Sequence, residues 1–180
     1  MKRLLLVVDY QKDFVDGALG FPGAEALDGP IAAKIAACRA AGDDVAFTLD
    51  THGPDYLDTQ EGRKLPVPHC LLNSEGWQLY GQTGQAMERS RDMVIGKGAF
   101  PSLWLANWLK EQGYDRVELA GLVSYLCVLS NAIMVKAALP EAEIVVDAAC
   151  CAGVTPESHR TALRAMKACQ ITVEHEGEAD

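Results

Sequence analysis

Short apolar runs alternate with helix-forming segments along almost the whole chain, and this alternation constrains the fold more than any other feature. The apolar runs are rich in Leu, Val and Ile, as is typical of strands covered on both faces. Six strands are predicted, at residues 3–9, 44–49, 93–96, 116–120, 143–146 and 171–174. Strands that alternate with helices predict a mostly parallel sheet with helices on both faces, which is a three-layer α/β fold.

Helix signals separate these strands. A proline in the first turn and a glycine after the last turn delimit two of the helices. The predicted helices cover residues 30–42, 101–113 and 127–139, the segment that Thr155 caps, and a short stretch within 85–91. Residues 50–83 and the acidic tail 176–180 are predicted to be irregular. We expect a single domain over residues 1–180, because the chain contains no linker, repeat or low-complexity segment.

The charge balance limits the partners that this chain can bind. Its net charge is −9 and no basic stripe is present, which argues against nucleic acid and anionic membranes. The apolar run at the N-terminus ends at Asp9, too early for a signal peptide, and the six cysteines lack zinc-ribbon spacing. We therefore expect reduced thiols and a cytoplasmic location. The oligomeric state is left open, with a homo-oligomer as one alternative.

Four chemically capable groups follow four consecutive predicted strands. Asp9 follows the first strand, Asp50 the second and Lys97 the third, and the turn 123–127 follows the fourth. In open α/β sheets, ligand sites form beyond the carboxyl ends of the strands, at the switch point of strand order. We therefore expect these groups to meet at one edge of the sheet.

Cys127 is the candidate nucleophile. It lies between an apolar strand and a helix, where backbone N–H groups and a nearby cation lower the pKa of a thiol and can hold an oxyanion. Asp9 would accept the thiol proton and deliver it to a leaving amine, while Lys97 would favour the thiolate and hold the carboxylate. The alternatives are a cysteine that only packs, an aspartate that only caps a loop and a lysine that is only a solvated charge.

A second candidate site follows the second strand. Asp50 and His52 lie on one side of an extended segment, and Glu61 and His69 follow in the same irregular stretch. Imidazoles with carboxylates suit zinc, iron or manganese, and Cys70 is a further candidate ligand. The alternative is a polar loop with surface histidines. The two remaining histidines are interpreted as structural or solvated: His159 and His175.

Several motifs resemble those of the nicotinamidase/isochorismatase-like cysteine hydrolases. The segment Asp9-Tyr10-Gln11-Lys12-Asp13-Phe14 resembles the family's Asp-x-Gln-x-Asp-Phe opening. Lys97-Gly98 resembles its lysine motif, and Tyr125-Leu126-Cys127-Val128 resembles its nucleophile motif. Asp50-x-His52, followed by Pro68-His69-Cys70, resembles the metal site of the nicotinamidase branch. The motifs span nearly the whole chain in the family's order and spacing.

The resemblance implies both a fold and a catalytic triad. The fold is that of the isochorismatase-like hydrolases, with a six-stranded sheet of order 3-2-1-4-5-6. The triad is Asp9, Lys97 and Cys127, and Cys127 excludes the isochorismatase branch proper, which lacks the nucleophile. A cis peptide bond is also implied at Leu122–Val123, which would direct the N–H groups of Val123 and Cys127 toward an oxyanion.

One divalent metal ion is implied as well. Its ligands would be Asp50, His52 and His69, with Glu61 favoured as the fourth and water as the alternative. Zinc is expected first, and iron and manganese are the other candidates. The implied activity is deamidation of nicotinamide or a similar heteroaryl carboxamide through a thioester. The alternatives are a cysteine hydrolase of another small amide or carbamoyl compound, and a non-catalytic relative that binds a metabolite or metal.

One aromatic position departs from the nicotinamidases. Many of them place a Trp three residues before the last metal-binding His, where it stacks on the pyridine ring, but this chain has Pro66 there. Phe14, Phe100 and Trp104 are therefore the candidates for the aromatic wall of the substrate site.

Overall fold

A parallel six-stranded sheet forms the centre of the computed structural model, which describes residues 1–177. The strands are β1 Arg3–Val8, β2 Asp44–Asp50, β3 Met93–Lys97, β4 Arg116–Leu122, β5 Glu143–Ala152 and β6 Thr172–Glu174. Their order across the sheet is β3-β2-β1-β4-β5-β6, and every neighbouring pair is parallel. The predicted α/β fold and strand order are confirmed. The switch point lies at β1, where the chain first winds toward β3 and later toward β6.

The connecting helices occupy both faces of the sheet. Within residues 1–177 they are α1 Lys12–Val15, α2 Asp28–Ala41, α3 Gln60–Lys64, α4 Gly81–Ala86, α5 Leu103–Gln112, α6 Leu129–Ala138 and α7 Pro156–Ala168. None of these described helices is long and apolar enough to cross a membrane. The acidic tail predicted at 176–180 lies mostly outside the described residues.

Alternating residues of β1 belong to two apolar cores, one on each face of the sheet. Leu4 and Leu6 of β1 point into the core with α5, α6 and α7, while Leu5 and Val7 point into the core with α2. Successive side chains of a strand face opposite sides, so a run that is apolar at every position is buried on both faces. This is why the sequence pattern of β1 lacks the alternation of a half-exposed strand.

Three predictions for the segments that connect or extend the strands were wrong. The short helix predicted within 85–91 lies earlier, at α4, because the chain becomes extended at Met87 (φ −72°, ψ 130°). The segment 50–83 is not wholly irregular, since it contains α3 and a short 3₁₀ turn at Tyr56–Asp58. β5 continues well beyond Val146, through Ala152, where pairing with the adjacent β4 extends it past a register shift.

Candidate active site

The carboxyl ends of four adjacent strands bring the candidate catalytic groups together. Asp9 follows β1, and Asp50 and Lys97 are the last residues of β2 and β3, where they lie opposite each other in the parallel register. The turn that carries Cys127 follows β4, on the other side of β1. All four positions therefore meet at one edge of the sheet, on either side of the switch point.

Asp9, Lys97 and Cys127 form one buried cluster, which we call the triad. Lys97 Nζ lies 2.5 Å from Asp9 Oδ2 and 3.6 Å from Cys127 Sγ. The other carboxylate oxygen of Asp9 accepts a hydrogen bond from the Thr48 hydroxyl at 2.6 Å. All three members are buried, and Asp9 is completely shielded from solvent. The lysine thus contacts both the carboxylate and the thiol.

Burial dominates the protonation of the triad. It raises the pKa of Asp9, and the nearby Lys97 charge only partly opposes this effect. Burial also raises the pKa of Cys127 well above that of a free thiol; the Asp9 charge adds to the rise and the Lys97 charge opposes it. Burial lowers the pKa of Lys97, but the negative charges of its neighbours outweigh this and leave that pKa raised. The resting cluster therefore contains a protonated thiol and a protonated lysine, with the Asp9 carboxyl group beside the lysine.

Cys127 lies in a π-helical turn that leads into α6. The turn covers Ser124–Val128, and the Val123 carbonyl accepts hydrogen bonds from Leu126 N at 3.1 Å and from Val128 N at 3.3 Å. π-Turns are rare and occur frequently at functional sites. The sequence predicts that this helix begins at residue 127. The helical segment in fact begins at Ser124, so Cys127 lies within its first turns.

The backbone that leads into this turn contains a cis peptide bond and a glycine with positive φ. The Leu122–Val123 peptide bond is cis, as in the turn that the family resemblance implies. One residue earlier, Gly121 adopts φ +124°, and a Cβ atom placed there would lie 2.0 Å from the Val8 carbonyl oxygen. Only glycine allows β4 to approach β1 so closely at this end of the sheet.

Asn131 connects the nucleophile turn to the loop after β3. This side chain is completely buried on α6, and its amide nitrogen donates to the Cys127 carbonyl at 2.8 Å and the Phe100 carbonyl at 3.0 Å. Its oxygen accepts from Ser102 N at 3.1 Å. The same loop accepts a hydrogen bond from Lys97 Nζ at the Ala99 carbonyl. Sequence reasoning missed Asn131, because one amide on a helix carries no distinctive local pattern.

A second cluster lies beside the triad, and we call it the ligand cluster. It consists of Asp50, His52, Glu61 and His69, with one ligand atom from each lying within 4.8 Å of all the others. Asp50 Oδ2 lies 3.0 Å from His52 Nε2 and 3.3 Å from His69 Nε2, and Glu61 Oε1 lies 3.7 and 3.8 Å from the same nitrogens. Ligands that share one ion at about 2 Å lie about 3–4 Å apart, so these residues fit a divalent metal.

Local structure orients the two imidazoles. His69 Nδ1 lies 2.8 Å from the Val67 carbonyl, which makes Nδ1 the donor and leaves Nε2 free to bind a metal. The backbone of His52 pairs with the segment 70–72, so the two histidine-bearing stretches lie side by side. The Tyr56 ring packs edge-on against both imidazoles, with centroids 4.7 and 5.0 Å away.

Glu61 comes from a short helix rather than an irregular loop. It lies in the first turn of α3, where the Thr59 side chain caps the helix by accepting from Gly62 N at 3.0 Å. Cys70 is buried nearby but is not a member of the ligand cluster. Asp50 joins the two clusters, because its other oxygen, Oδ1, lies 3.5 Å from Lys97 Nζ.

Two residues of the opening motif form hydrogen bonds with the backbone at or next to the ligand cluster. Gln11 is completely buried, accepts from Asp50 N at 2.7 Å and donates to the Asp50 carbonyl at 2.9 Å. Asp13 accepts from Cys70 N at 2.7 Å, next to His69. Sequence reasoning assigned neither residue a role, although the Asp-x-Gln-x-Asp-Phe motif was the signal that could have identified them.

The family model described as "Isochorismatase domain" matches residues 3–176. The chain belongs to the isochorismatase family. It is 27% identical over 146 residues to the nicotinamidase/pyrazinamidase of Mycobacterium tuberculosis, an alignment that covers 72% of this chain and 76% of that protein. Together with the geometry of the site, this membership identifies the chain as an amidohydrolase.

Solved structures of the isochorismatase family superpose on nearly the whole chain. The nicotinamidase/pyrazinamidase of Bacillus subtilis matches with a TM-score of 0.85 at 29% identity, covering 96% of this chain and 99% of that one. The pyrazinamidase of Pyrococcus horikoshii, solved in complex with zinc, matches with a TM-score of 0.83 at 25% identity, covering 96% and 98%. The fold thus extends over both clusters.

The three aromatic candidates occupy different settings in this isochorismatase-family chain. Phe14 packs near the ligand cluster, with its ring centroid 5.6 Å from that of His69. Phe100 and Trp104 are 39% and 52% exposed, and Phe100 lines a shallow apolar depression beside α6. Pro66 is exposed. Of the three, Phe14 is therefore the one whose contact with the ligand cluster is observed.

Proposed function

We propose that the chain is a metal-dependent cysteine amidohydrolase that deamidates nicotinamide or a similar heteroaryl carboxamide to the acid and ammonia. We base this on one observation: Asp50 of the ligand cluster connects it to the triad, because one of its oxygens faces Lys97 and the other faces the two imidazoles. A substrate held at the ligand cluster would have its carboxamide next to Cys127. The nicotinamidase and pyrazinamidase relatives support the same substrate class.

The ligand cluster would hold one divalent ion, and the nitrogen–oxygen ligand set suits zinc first, with iron or manganese as alternatives. When bound, such an ion supplies a Lewis-acidic position for a ring nitrogen of the substrate. His52 and His69 would contribute neutral nitrogens, and Asp50 and Glu61 would offset the charge of the ion. Phe14 would form the nearby aromatic wall, since it packs against His69.

Acylation would begin with attack of Cys127 Sγ on the amide carbon. Asp9 accepts the thiol proton as the C–S bond forms, and its raised pKa makes it a stronger base than an ordinary carboxylate. Lys97 remains protonated and holds the carboxylate in place. The N–H groups of Val123 and Cys127 would stabilise the tetrahedral oxyanion. Asp9 then returns the proton to the departing nitrogen. The C–N bond breaks, ammonia is released, and a thioester on Cys127 remains.

Deacylation would reverse the same proton movements with water as the nucleophile. Asp9 accepts a proton from the water that attacks the thioester carbon, the C–S bond breaks, and the proton returns to the Cys127 sulfur. The products are the carboxylic acid and the free thiol. One buried aspartate would therefore serve both halves of the reaction.

Ammonia release from a panel of small amides tests the proposal. The panel contains nicotinamide, pyrazinamide, benzamide as the ring without nitrogen, and an N-carbamoyl amino acid. We expect metal-loaded protein to hydrolyse the two heteroaryl amides and to act much more slowly on benzamide. Faster turnover of the carbamoyl compound would favour the alternative amidase. Absence of ammonia from every amide would contradict the proposal and favour a non-catalytic binding protein.

A further inference from the structure

A histidine from α7 holds the turn that carries the nucleophile candidate. Ser124 lies three residues before Cys127 and is completely buried. His159 Nδ1 lies 3.0 Å from the Ser124 hydroxyl oxygen, although the two residues are far apart in sequence. Within residues 1–177, no other side chain hydrogen-bonds to this hydroxyl. His159 is therefore structural rather than solvated, and its partner belongs to the catalytic turn.

Close packing makes this contact possible. α7 packs directly on the π-helical turn, and Gly153, in the loop after β5, lies between them. A Cβ atom at Gly153 would lie 3.2 Å from the Ser124 hydroxyl oxygen and 3.0 Å from the backbone nitrogen of His159. Glycine leaves room for α7 to approach the turn, so the absence of a side chain there supports a specific His159–Ser124 contact.

The imidazole also stands on the capped first turn of α7. Thr155 and Ser158 form a reciprocal capping box at the start of this helix, and the backbone N–H of His159 donates to the Thr155 carbonyl at 3.1 Å. Burial lowers the pKa of His159, which favours the neutral imidazole that can exchange a hydrogen bond with a hydroxyl. The fixed helix end thus presents one polar atom to Ser124.

We propose that His159 is a positioning residue, which acts through Ser124 to hold the turn 123–127 in register with the reacting carbonyl. This inference rests on the proposed function, in which the N–H groups of Val123 and Cys127 stabilise the oxyanion. Neither Ser124 nor His159 exchanges a proton in that reaction. Their effect is geometric: a displacement of about 1 Å at a reacting centre can cost about 100-fold in rate.

Steady-state kinetics of a double-mutant cycle test the proposal. His159→Ala and Ser124→Ala should each lower kcat for nicotinamide by about 10- to 100-fold while KM stays within about 2-fold, because orientation rather than binding is lost. The double variant should be no slower than the slower single variant, since the two residues act through one contact. His159→Asn should recover most of kcat, because its amide places a polar atom near the position of Nδ1.

The matched control is His175→Ala, which removes the other histidine of the C-terminal region. The His175 side chain is 62% exposed and contacts Asp147, far along β5 from the turn, so kcat should not change. The positioning role is overturned if His159→Ala keeps the wild-type kcat, if His159→Asn is as slow as His159→Ala, or if the losses of the two single variants multiply.

Hydrogen exchange resolved to the peptide 122–129 gives a readout that needs no substrate. His159→Ala and Ser124→Ala should both accelerate exchange in this peptide, and His175→Ala should not. If wild-type protein hydrolyses no amide, the proposed function fails, and the exchange experiment alone decides the positioning role. Unchanged exchange in both variants would then overturn it.

Discussion

The triad and a second ion cluster on the α2 face of the sheet combine the same kinds of side chain in different settings. The second cluster, which we call the sheet-face cluster, consists of Lys34, Glu118 and Asp147. Lys34 Nζ lies 2.5 Å from Asp147 Oδ2 and also pairs with Glu118. A thiol is close by: burial and the Asp147 charge raise the pKa of Cys150 to about 12, and the Lys34 charge opposes them. The same three influences act on Cys127.

The two clusters differ in where the backbone places them. Cys150 lies inside β5, whereas Cys127 follows a strand end and lies in the first turns of a helical segment, where backbone N–H groups are available to an anion. The triad also adjoins the ligand cluster through Asp50. A thiol, a lysine and a carboxylate therefore do not make a site by themselves. Their position at the switch point of the sheet adds the backbone N–H groups of a helical turn and the neighbouring ligand cluster.

Replacing each thiol in turn tests this comparison most severely. Cys127→Ala should lower kcat for nicotinamide by at least about 10⁴-fold, because removal of a nucleophile disables the whole catalytic unit. Cys150→Ala, the matched control, should keep kcat within a few-fold, and circular dichroism should show both variants folded. Near wild-type turnover by Cys127→Ala would refute the assignment, and an equal loss in Cys150→Ala would break the comparison.

Metal removal tests the second difference between the triad and the sheet-face cluster, which is that the triad adjoins the ligand cluster. Protein stripped with a chelator should lose at least about 100-fold in kcat/KM for nicotinamide, because substrate placement depends on the ligand cluster. His52→Ala should lose both metal and turnover, while Cys127 should still react with a small thiol reagent. Elemental analysis before and after chelation measures the metal. Equal hydrolysis by metal-free and metal-loaded protein would show that the metal role is wrong.

Replacing Lys97 should lower the catalytic rate, whereas replacing Lys34 should lower the stability of the fold. Lys97→Met should reduce kcat by about 10²- to 10⁴-fold, because Asp9 loses the cation that holds it. Lys34→Met should leave kcat unchanged and lower the free energy of unfolding by about 1–3 kcal/mol, because two carboxylates lose their partner. Urea unfolding and initial rates measure the two effects. Loss of turnover in Lys34→Met would join the two clusters functionally.

The smallest effect expected is a pH dependence of stability from Asp147. Burial would raise the pKa of Asp147, but its hydrogen bond and ion pair with Lys34 outweigh burial and hold that pKa below the usual value. The unfolded state then binds more protons near about pH 4, so the contribution of Asp147 is present above that pH and is lost in more acidic solution.

Unfolding experiments with Asp147→Asn measure this contribution. The free-energy difference between wild type and Asp147→Asn should shrink as the pH falls from about 6 to about 3. In a Lys34→Met background the same difference should no longer shrink in this way as the pH falls, because the main partner that lowers the pKa of Asp147 is gone while burial still raises that pKa. A difference that stays constant in the wild-type background would mean that the ion pair does not shift the pKa of Asp147.

Much of this architecture was predictable because it depends on local patterns. Continuous apolar runs such as residues 4–8 indicate strands buried on both faces, and strands that alternate with helices lead to a parallel sheet. That sheet in turn places Asp9, Asp50 and Lys97 at one edge, since parallel strands end on the same side. Chemical groups at strand ends could therefore be selected from the sequence alone.

The remaining features depend on contacts between distant segments. Asn131 and His159 look like ordinary helix residues until α6 and α7 pack against the nucleophile turn. Glu61 lies in a stretch without strong periodicity, and the Thr59 cap decides that it stands on a helix. α4 ends before the polar stretch 87–91 because the backbone becomes extended at Met87. No local sequence pattern indicates this change.

The sequence by itself determined the strand order through the family motifs, the groups at the strand ends and the set of metal-ligand types. Only the tertiary structure decided that Lys34, Glu118 and Asp147 form the sheet-face cluster, with Cys150 nearby, because no sequence motif links these residues. The physical reason is that the electrostatics of a thiol depend on distances of a few ångströms and on which backbone N–H groups lie nearby. Packing across the sheet sets both quantities, and neither is encoded in any single segment.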